Sequence, residues 1–291
     1  MSKAHRPRLG FIGLGIVGTA LARGLADAGF EVAAVSSRNQ EHVARAIASV
    51  PGARSAKEPQ GVVDIADTIF LTVSDDAVGE VANSLRWGAG KRAVHCSGTS
   101  SIDLLDGPRE QGAAVGAFHP LQTLASLEQA EKNLPGSAFV IEASDKDLEA
   151  SLSSMARALG GQPLVLHGDK ALYHASAVIA CNYLVTLLDA AAGLWEHLGL
   201  TKEEGLRALL PLVRGTLENL ESVGLPQALT GPIARGDVGT VDRNLKALSE
   251  LAPDLVPLYN ELARRTIPIA RAKGTLSEAA AKRLLERLEQ R

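Results

Sequence analysis

The chain has 291 residues, of which 22% are charged, and a formal net charge of -3. A chain of this length can bury a sizeable core and suits two domains. Its slight negative charge argues against a nucleic-acid partner, which requires a basic surface. Cys96 and Cys181 are isolated and lack the spacing of a disulfide framework or a zinc site, so we expect reduced core thiols and no bound metal.

Three glycines follow the first short apolar run and open a segment with helical periodicity, residues 16–28. Gly13 can make the tight turn out of a strand, and Gly15 lets the backbone approach a pyrophosphate. Gly18 allows the following helix to pack against the sheet. The free N–H groups of the first helical turn would then hold the anion. This motif predicts a dinucleotide-binding site.

The end of the next predicted strand, residues 30–35, distinguishes between the two nicotinamide dinucleotides. Ser36, Ser37 and Arg38 stand where an NAD site carries an Asp or Glu that binds the ribose 2′-hydroxyl. Hydroxyls and a guanidinium can bind a 2′-phosphate, which a carboxylate would repel. We therefore predict NADPH as the cofactor, with Arg38 as an ordinary solvated residue as the alternative.

Three further predicted strands, residues 69–73, 93–96 and 113–118, each end in polar residues. Ligands bind beyond the carboxyl ends of the strands in an open parallel sheet, so these polar ends should line one crevice. A helix at 41–49, a strand at 138–141, a helix at 148–159 and an edge strand at 163–166 complete the predicted N-terminal domain, residues 1–167. The residues expected to bind the cofactor are Gly13, Leu14, Gly15, Ile16, Val17, Gly18, Ser36, Ser37, Arg38, Val73, Ser74, Ser97 and Gly98.

From residue 169 onward nearly every segment has helical periodicity, which predicts an all-α C-terminal domain over residues 168–291. On its first helix, His174, Asn182 and Asp189 share one narrow arc at 100° per residue. Buried polar groups need partners. This arc therefore faces either a wet cleft or a hydrogen-bond network inside a helix bundle.

Two segments have part of the pattern of an export signal or a membrane helix, but neither has all of it. The basic residues 1–8 precede an apolar segment, but the glycine motif occupies that segment. Residues 175–194 are apolar but contain polar side chains, which indicates a helix buried in protein. We therefore expect a cytoplasmic protein with no membrane contact.

Three side chains are candidates for contact with a substrate. His119 is predicted in a loop at the carboxyl end of the sheet, where bound cofactor should lie and where its imidazole can supply a proton near neutral pH. Gln122 lies in the same polar segment. Arg235 lies between two helices and could clamp a carboxylate bidentately. The alternative at residues 229–237 is a Gly-Pro turn in which Asp237 caps the next helix.

The glycine motif, residues 118–122, residues 173–182 and residues 229–237 together resemble those of a family of two-domain oxidoreductases. In that family a Rossmann-like α/β domain with a mostly parallel sheet precedes a domain long labelled as of unknown function 2520. The resemblance covers almost the whole chain. More distantly, the chain is similar to the 6-phosphogluconate dehydrogenase superfamily, which includes ketopantoate and pyrroline-5-carboxylate reductases. The resemblance implies a homodimer formed through the helical domain.

The resemblance and the residues together predict NADPH-dependent reduction of a small 2-oxo acid, with ketopantoate as a candidate substrate. In the related enzymes a catalytic Lys precedes an Asn by one turn on this helix. If Asn182 is that Asn, then Val178 occupies the Lys position, so His174 or His119 must donate the proton. Asn182 would orient the carbonyl oxygen. Imine reduction of the pyrroline-5-carboxylate type and a non-catalytic NADPH sensor remain as alternatives.

Overall fold

A computed structural model describes residues 6–289, so residues 1–5 of the basic N-terminal stretch lie outside the described part. The chain divides into two compact units, the first ending at Cys181 and the second beginning at Asn182. The sequence placed the boundary between residues 167 and 168, where the sheet ends. The helix that follows still belongs to unit one, because Lys170 pairs there with Glu142.

Within residues 6–289, unit one contains an eight-stranded sheet in the order β3-β2-β1-β4-β5-β6-β7-β8. Its strands are β1 Leu9–Ile12, β2 Val32–Ser36, β3 Arg54–Ser55, β4 Thr68–Leu71, β5 Arg92–His95, β6 Ala114–Leu121, β7 Ala138–Ala143 and β8 Gln162–Val165. Only the β6–β7 pair in this described sheet is antiparallel. Buried parallel strands are apolar on both faces, and β1 and β4 are buried throughout.

Helices cover both faces of this sheet. The helices on one face are α1 Ile16–Asp27, α2 Gln40–Ser49, α6 Leu127–Asn133 and α7 Lys146–Ala158, and those on the other are α3 Pro59–Ile65, α4 Asp75–Asn83 and α5 Asp106–Glu110. On the first face Phe11, Phe70, Phe118 and Phe139 form a row with ring centroids 5.0, 5.8 and 4.8 Å apart. This packed row fixes β1, β4, β6 and β7 against one another.

The described chain after residue 169 is helical, as predicted. Its helices are α8 Lys170–Ala177, α9 Tyr183–Gly193, α10 Lys202–Val223, α11 Val238–Leu251, α12 Val256–Lys273 and α13 Glu278–Glu289. In unit two, α11, α12 and α13 bury Leu245, Ile267 and Leu284 in a common core. The predicted fold class, an α/β Rossmann-like domain followed by an all-α region, is confirmed.

A π-helical turn, Val178–Asn182, separates α8 from α9. A π turn places an extra residue in the helix and rotates everything that follows it. The predicted common arc of His174, Asn182 and Asp189 assumed 100° per residue throughout, so the π turn changes the relative directions of these side chains and the arc stays a prediction. Asp189 forms an ion pair with Lys202 at 2.6 Å.

The expectation that residues 175–194 are buried in protein is wrong for the single chain. Only 6% of the residues in the apolar window of the described stretch Lys170–Leu198 are buried inside the chain. By length and composition this stretch could cross a membrane, and its window has a mean hydropathy of 1.7. One such helix is weak evidence for a membrane span. Cys181 is exposed rather than in the core, whereas Cys96 is half-buried.

Candidate active site

The loop between β1 and α1 has the backbone that a phosphate-binding turn requires. Gly13 has a φ of +98°, which L side chains rarely adopt. A Cβ on Gly18 would overlap the Gly13 carbonyl and the Thr72 side chain. A Cβ on Gly15, in contrast, would meet nothing within 4 Å. The loop therefore closes tightly at Gly13 and Gly18 and leaves open space in front of Gly15.

Helix α1 begins at Ile16, and its N-cap, Gly15, provides no side-chain hydrogen bond. The first N–H groups of the helix are therefore free to bind an anion. These donors and the space beside Gly15 fit the pyrophosphate of a dinucleotide. The sequence reasoning missed Thr72, whose hydroxyl donates to the Gly13 carbonyl at 2.5 Å. The signal was a hydroxyl residue at the end of an apolar strand, next to the predicted Val73.

The other residues predicted to bind the cofactor differ in their exposure. Leu14 is buried in the core and Val17 packs against it, so only their backbones can face a ligand. Ile16 is exposed. Val73 is half-buried, and Ser74 is the N-cap of α4 without a side-chain hydrogen bond. These side chains line the loop without forming a polar site of their own.

The end of β2 is tied to the glycine loop. Gly13 N–H donates to the Ser36 carbonyl at 2.8 Å, and the Ser36 side chain is buried. The Ser37 hydroxyl accepts from Asn39 N–H at 3.3 Å. Arg38 is exposed. Of the three residues predicted to bind a 2′-phosphate, Arg38 and Ser37 therefore have side chains within reach of solvent.

Four residues converge at the carboxyl end of the sheet. The Nδ1 atom of His119 and the Tyr173 hydroxyl lie 2.8 Å apart in a hydrogen bond. The ring centroids of His119 and His174 are 6.4 Å apart. A Cβ built on Gly98 would lie 2.7 Å from His174 Nδ1 and 3.0 Å from His119 Nε2. We call His119, Tyr173, His174 and Gly98 the histidine–tyrosine cluster.

A hydroxyl network lies beside this cluster, in the loop after β5. The Ser97 hydroxyl donates to Asp75 Oδ2 at 2.8 Å and accepts from Ser100 N–H at 3.2 Å. Ser97 N–H donates to His95 Nδ1 at 3.1 Å, which leaves the proton of a neutral His95 on Nε2. Ser97 therefore shapes the loop that carries Gly98. In residues 6–289, no group of three or more His, Cys, Asp or Glu side chains is arranged to hold a metal ion.

Burial determines the protonation of the titratable groups here. It lowers the pKa of His119 to about 4, and the neighbouring Lys170 and His174 act in the same direction while Asp75 opposes them. Burial also lowers the pKa of His95 to about 3. It raises the pKa of Tyr173 to about 12. At neutral pH, His119 is therefore an uncharged imidazole paired with an uncharged phenol.

The sequence reasoning missed a buried lysine at the start of α8. The Lys170 side chain is 1% exposed, and its Nζ lies 3.6 Å from Glu142 Oε2. Burial lowers the pKa of Lys170 while Glu142 opposes the shift, and burial raises the pKa of Glu142 while Lys170 opposes it. Lys170 precedes His174 by four residues, the spacing of neighbours on one helix face. That spacing was visible in the sequence.

Two predicted residues of the segment after β6 have different surroundings than expected. His119 lies inside β6 rather than after it, because pairing with β7 extends the strand through Pro120 to Leu121. Since β5 pairs only as far as Ala117, the proline costs no hydrogen bond to β5. The Gln122 amide donates to the Ser137 hydroxyl at 3.1 Å, so this side chain braces the β6–β7 connection. Its substrate contact stays a prediction.

The remaining predicted residues, Asn182 and Arg235, belong to unit two. Both are exposed. Asp237 caps α11 by accepting from Thr240 N–H at 3.0 Å, so the structural alternative for residues 229–237 holds for Asp237. The roles of Asn182 and Arg235 toward a substrate stay predictions.

Family models match both parts of the chain. Residues 8–97 match a family described as "NADP oxidoreductase coenzyme F420-dependent", and residues 137–266 match a domain of unknown function, DUF2520. The chain therefore carries both matched regions in sequence order. The resemblance inferred from the motifs is thereby confirmed, and the matched family description agrees with the predicted NADP. No curated protein matches the chain.

Solved structures share the fold along most of this chain. A protein from Thermotoga maritima is 26% identical with a TM-score of 0.72, over 91% of this chain and 99% of its own. A 1-pyrroline-5-carboxylate reductase from Streptococcus pyogenes is 18% identical with a TM-score of 0.63, over 91% and 98%. A reductive aminase from Aspergillus terreus, in complex with NADPH and ethyl levulinate, is 17% identical with a TM-score of 0.65, over 97% and 99%. The last two likenesses show the fold alone.

Proposed function

We propose that this protein is an NADPH-dependent reductase of small 2-oxo acids, with ketopantoate as the first substrate to test. The observation that carries the proposal is the hydrogen bond between His119 Nδ1 and the Tyr173 hydroxyl, beside Gly98 at the carboxyl end of the sheet. Ligands of open α/β folds bind beyond the carboxyl ends of the strands. The family description of residues 8–97 names NADP oxidoreductases, which supports the same reaction class.

The cofactor would be held by groups of the N-terminal unit. The free N–H groups of α1 and the open space at Gly15 suit the pyrophosphate. Arg38 and Ser37 suit the 2′-phosphate. When bound, NADPH supplies a hydride to the carbonyl carbon of the substrate.

The histidine–tyrosine cluster supplies the proton. As the carbonyl becomes an alkoxide, the Nε2–H of neutral His119 passes its proton to that oxygen, and the Tyr173 hydroxyl passes its proton to Nδ1. The resulting phenolate regains a proton from solvent, so that one hydride and one proton are added in total. An imidazolium is unnecessary because an alkoxide is a strong base. We further propose that Asn182 orients the carbonyl oxygen and that Arg235 binds the carboxylate.

Imine reduction is the second candidate, and the pKa of His119 favours it. With a pKa of about 4, His119 carries almost no imidazolium at neutral pH. An iminium substrate brings its own proton, so its reduction requires less help from an acid. Two of the proteins that share this fold are described as a pyrroline-5-carboxylate reductase and a reductive aminase.

A substrate panel with purified protein tests the proposal and separates the candidates. NADPH absorbance is followed with ketopantoate, other 2-oxo acids and cyclic imines. Turnover of 2-oxo acids supports the first candidate, and turnover of cyclic imines alone selects the second. Saturable NADPH binding without turnover of any compound overturns both and supports a sensor. The His119→Gln variant shows whether turnover depends on the cluster.

We also propose that a second copy of the chain covers the apolar surface of α9 and α10. Between these helices lies a groove of about 660 Å³ that includes Val185, Leu188, Leu206 and Leu210. Val185 is 69% exposed. The groove also carries both members of the Asp189–Lys202 ion pair, so two copies related by a twofold axis could match opposite charges. A cytoplasmic location stays a prediction.

A further inference from the structure

Lys170 is a buried amine that the proposed proton transfer does not use. Its ammonium lies 3.6 Å from a Glu142 carboxylate oxygen, which is longer than a hydrogen bond. Within the described residues, neither Lys170 Nζ nor Glu142 Oε2 has a hydrogen-bond partner. A charge is costly to bury. A lysine in this position therefore calls for a role beyond packing.

The backbone directs this pair toward the histidine–tyrosine cluster. Lys170 precedes Tyr173 and His174 by three and four residues, so the three side chains share one face of α8. Glu142 is the register partner of Ala117, and Ala117 and His119 point to the same face of β6. Glu142 and His119 thus project from the same face of the sheet, where α8 places Lys170 against Glu142.

We propose that Lys170 and Glu142 form a positioning pair for the histidine–tyrosine cluster, in which the Lys170 charge acts on the His119 ring and Glu142 holds that charge in place. The Lys170 charge thereby adds to burial in disfavouring protonation of the His119 ring, while its Nδ1 stays paired with Tyr173. Lys170 touches neither cofactor nor substrate in this scheme. The inference rests on the proposed function only for its catalytic consequence.

Other titratable groups also act on His119 and Lys170, and they stay in place when the Lys170 charge is removed. Asp75 and His174 act on His119 together with Lys170. Lys170 itself faces Glu142, Asp75 and the Cys96 thiol, and it also acts on His95. Removing the Lys170 charge leaves burial and His174 in place. The His119 ring should therefore gain a proton at a higher pH than in the native protein, while still below the usual range.

The test is a pH titration of the histidine rings by NMR, with the His119 signal assigned from His119→Gln. In Lys170→Met we expect the His119 midpoint to rise by about half a pH unit or more. Lys170→Arg should keep the native midpoint because it keeps the charge. The matched control is Lys146→Met, which removes an exposed lysine paired with Glu149 in the same unit. It should leave the His119 midpoint unchanged.

A second variant guards against loss of folding, since Lys170→Met leaves a carboxylate without its partner. The double change Lys170→Met with Glu142→Gln removes both charges and should give the same rise. If the midpoint is unchanged in whichever of these variants folds, the inference is overturned. If the rise occurs but no substrate of the panel is turned over, the positioning pair stands and the proposed function fails. With an active enzyme, the acid limb of kcat/KM should move upward with the midpoint.

Discussion

Helices α7 and α9 show how differently the two units treat apolar sequence. α7, in the sheet unit, buries Leu148, Leu152 and Met155 against the strands. α9, in the helical unit, is more apolar, yet among its described residues only Ala192 is buried. An amphipathic helix is covered within the chain, whereas a uniformly apolar helix here lies open. The second pattern leaves an exposed apolar surface on unit two.

The difference also separates two roles. The groups suited to proton transfer lie in the sheet unit, where burial shifts the pKa values of His95, His119 and Tyr173. Packed surroundings can hold such groups with fixed geometry. On this view unit one carries the proton-transfer groups, while unit two carries the helices proposed for assembly and the proposed substrate contacts Asn182 and Arg235. Each prediction below removes a group from one side of that division.

The largest effect is expected from His119→Gln in unit one. Losing a proton donor typically lowers kcat by about 10²- to 10⁴-fold. NADPH affinity should stay within about twofold, because His119 is not among the groups that suit the dinucleotide phosphates. Tyr173→Phe should also lower kcat, since it removes the hydroxyl that passes a proton to His119 Nδ1 in the proposed transfer. Steady-state kinetics measures the change in kcat, and calorimetry measures the NADPH affinity. Native turnover in His119→Gln would refute the proton-transfer scheme.

The next effect concerns assembly. Val185→Glu combined with Leu206→Glu places charges in the apolar groove of α9 and α10 and should convert a dimer into monomers. Light scattering coupled to size exclusion measures the mass. Leu164→Glu is the matched control, because Leu164 is likewise an exposed apolar residue, with 51% exposure, but lies on β8 of the sheet unit. A native protein that is already monomeric at micromolar concentration would contradict the assembly proposal.

A smaller change is expected from Arg38→Ala, which should weaken NADPH binding by about 10- to 100-fold, the value of a charge-assisted hydrogen bond. NADH binding should be unaffected because NADH lacks the 2′-phosphate. Calorimetric titration with each cofactor gives the two ratios. Arg6→Ala serves as the control, since Arg6 contacts the carbonyls of Ala28 and Gly29. Equal losses for both cofactors would mean that Arg38 does not select between them.

Among the glycines, Gly18→Ala should cost about 1–3 kcal/mol of folding stability, because the new Cβ overlaps the Gly13 carbonyl and Thr72. Gly15→Ala should keep the native Tm, since its Cβ meets nothing within 4 Å, yet it should weaken NADPH binding. Thermal denaturation and a binding titration separate the two outcomes. Equal Tm losses would show that the space before Gly15 is not open.

The smallest expected change is in the pH profile. His119 has a pKa of about 4, so its neutral form is fully present above pH 6 and is lost as the pH falls through 4. If neutral His119 is the donor, kcat should vary little between pH 6 and 8. A required imidazolium would instead make kcat fall about tenfold for each unit above its pKa. Single-turnover rates across this range distinguish the two.

Local rules were sufficient for the glycine loop and for most strands of the sheet, although β3 was not predicted. Gly13 and Gly18 stand where backbone conformation and close contact exclude a side chain, and such positions are readable from residue type. The strand before Cys96 and the capping role of Asp237 follow in the same way. Each of these features depends on neighbours in sequence.

The remaining features depend on contacts between distant segments. The π turn at Val178–Asn182 carries no glycine or proline that would mark it, so the arc was calculated with a regular helix that the chain does not keep. His119 was assigned to a loop because its place in β6 depends on pairing with β7. Lys170 was missed because lysine is ordinarily exposed. Its buried position is next to Glu142, which is distant in sequence, so local patterns do not reveal it.

The most direct test is a calorimetric titration of the purified protein with NADPH and, separately, with NADH. The account predicts saturable binding of one NADPH per chain, with an affinity at least about tenfold higher than that for NADH, because the 2′-phosphate meets Arg38. Absence of any measurable uptake of either cofactor would contradict the account, since the glycine loop would then serve no dinucleotide.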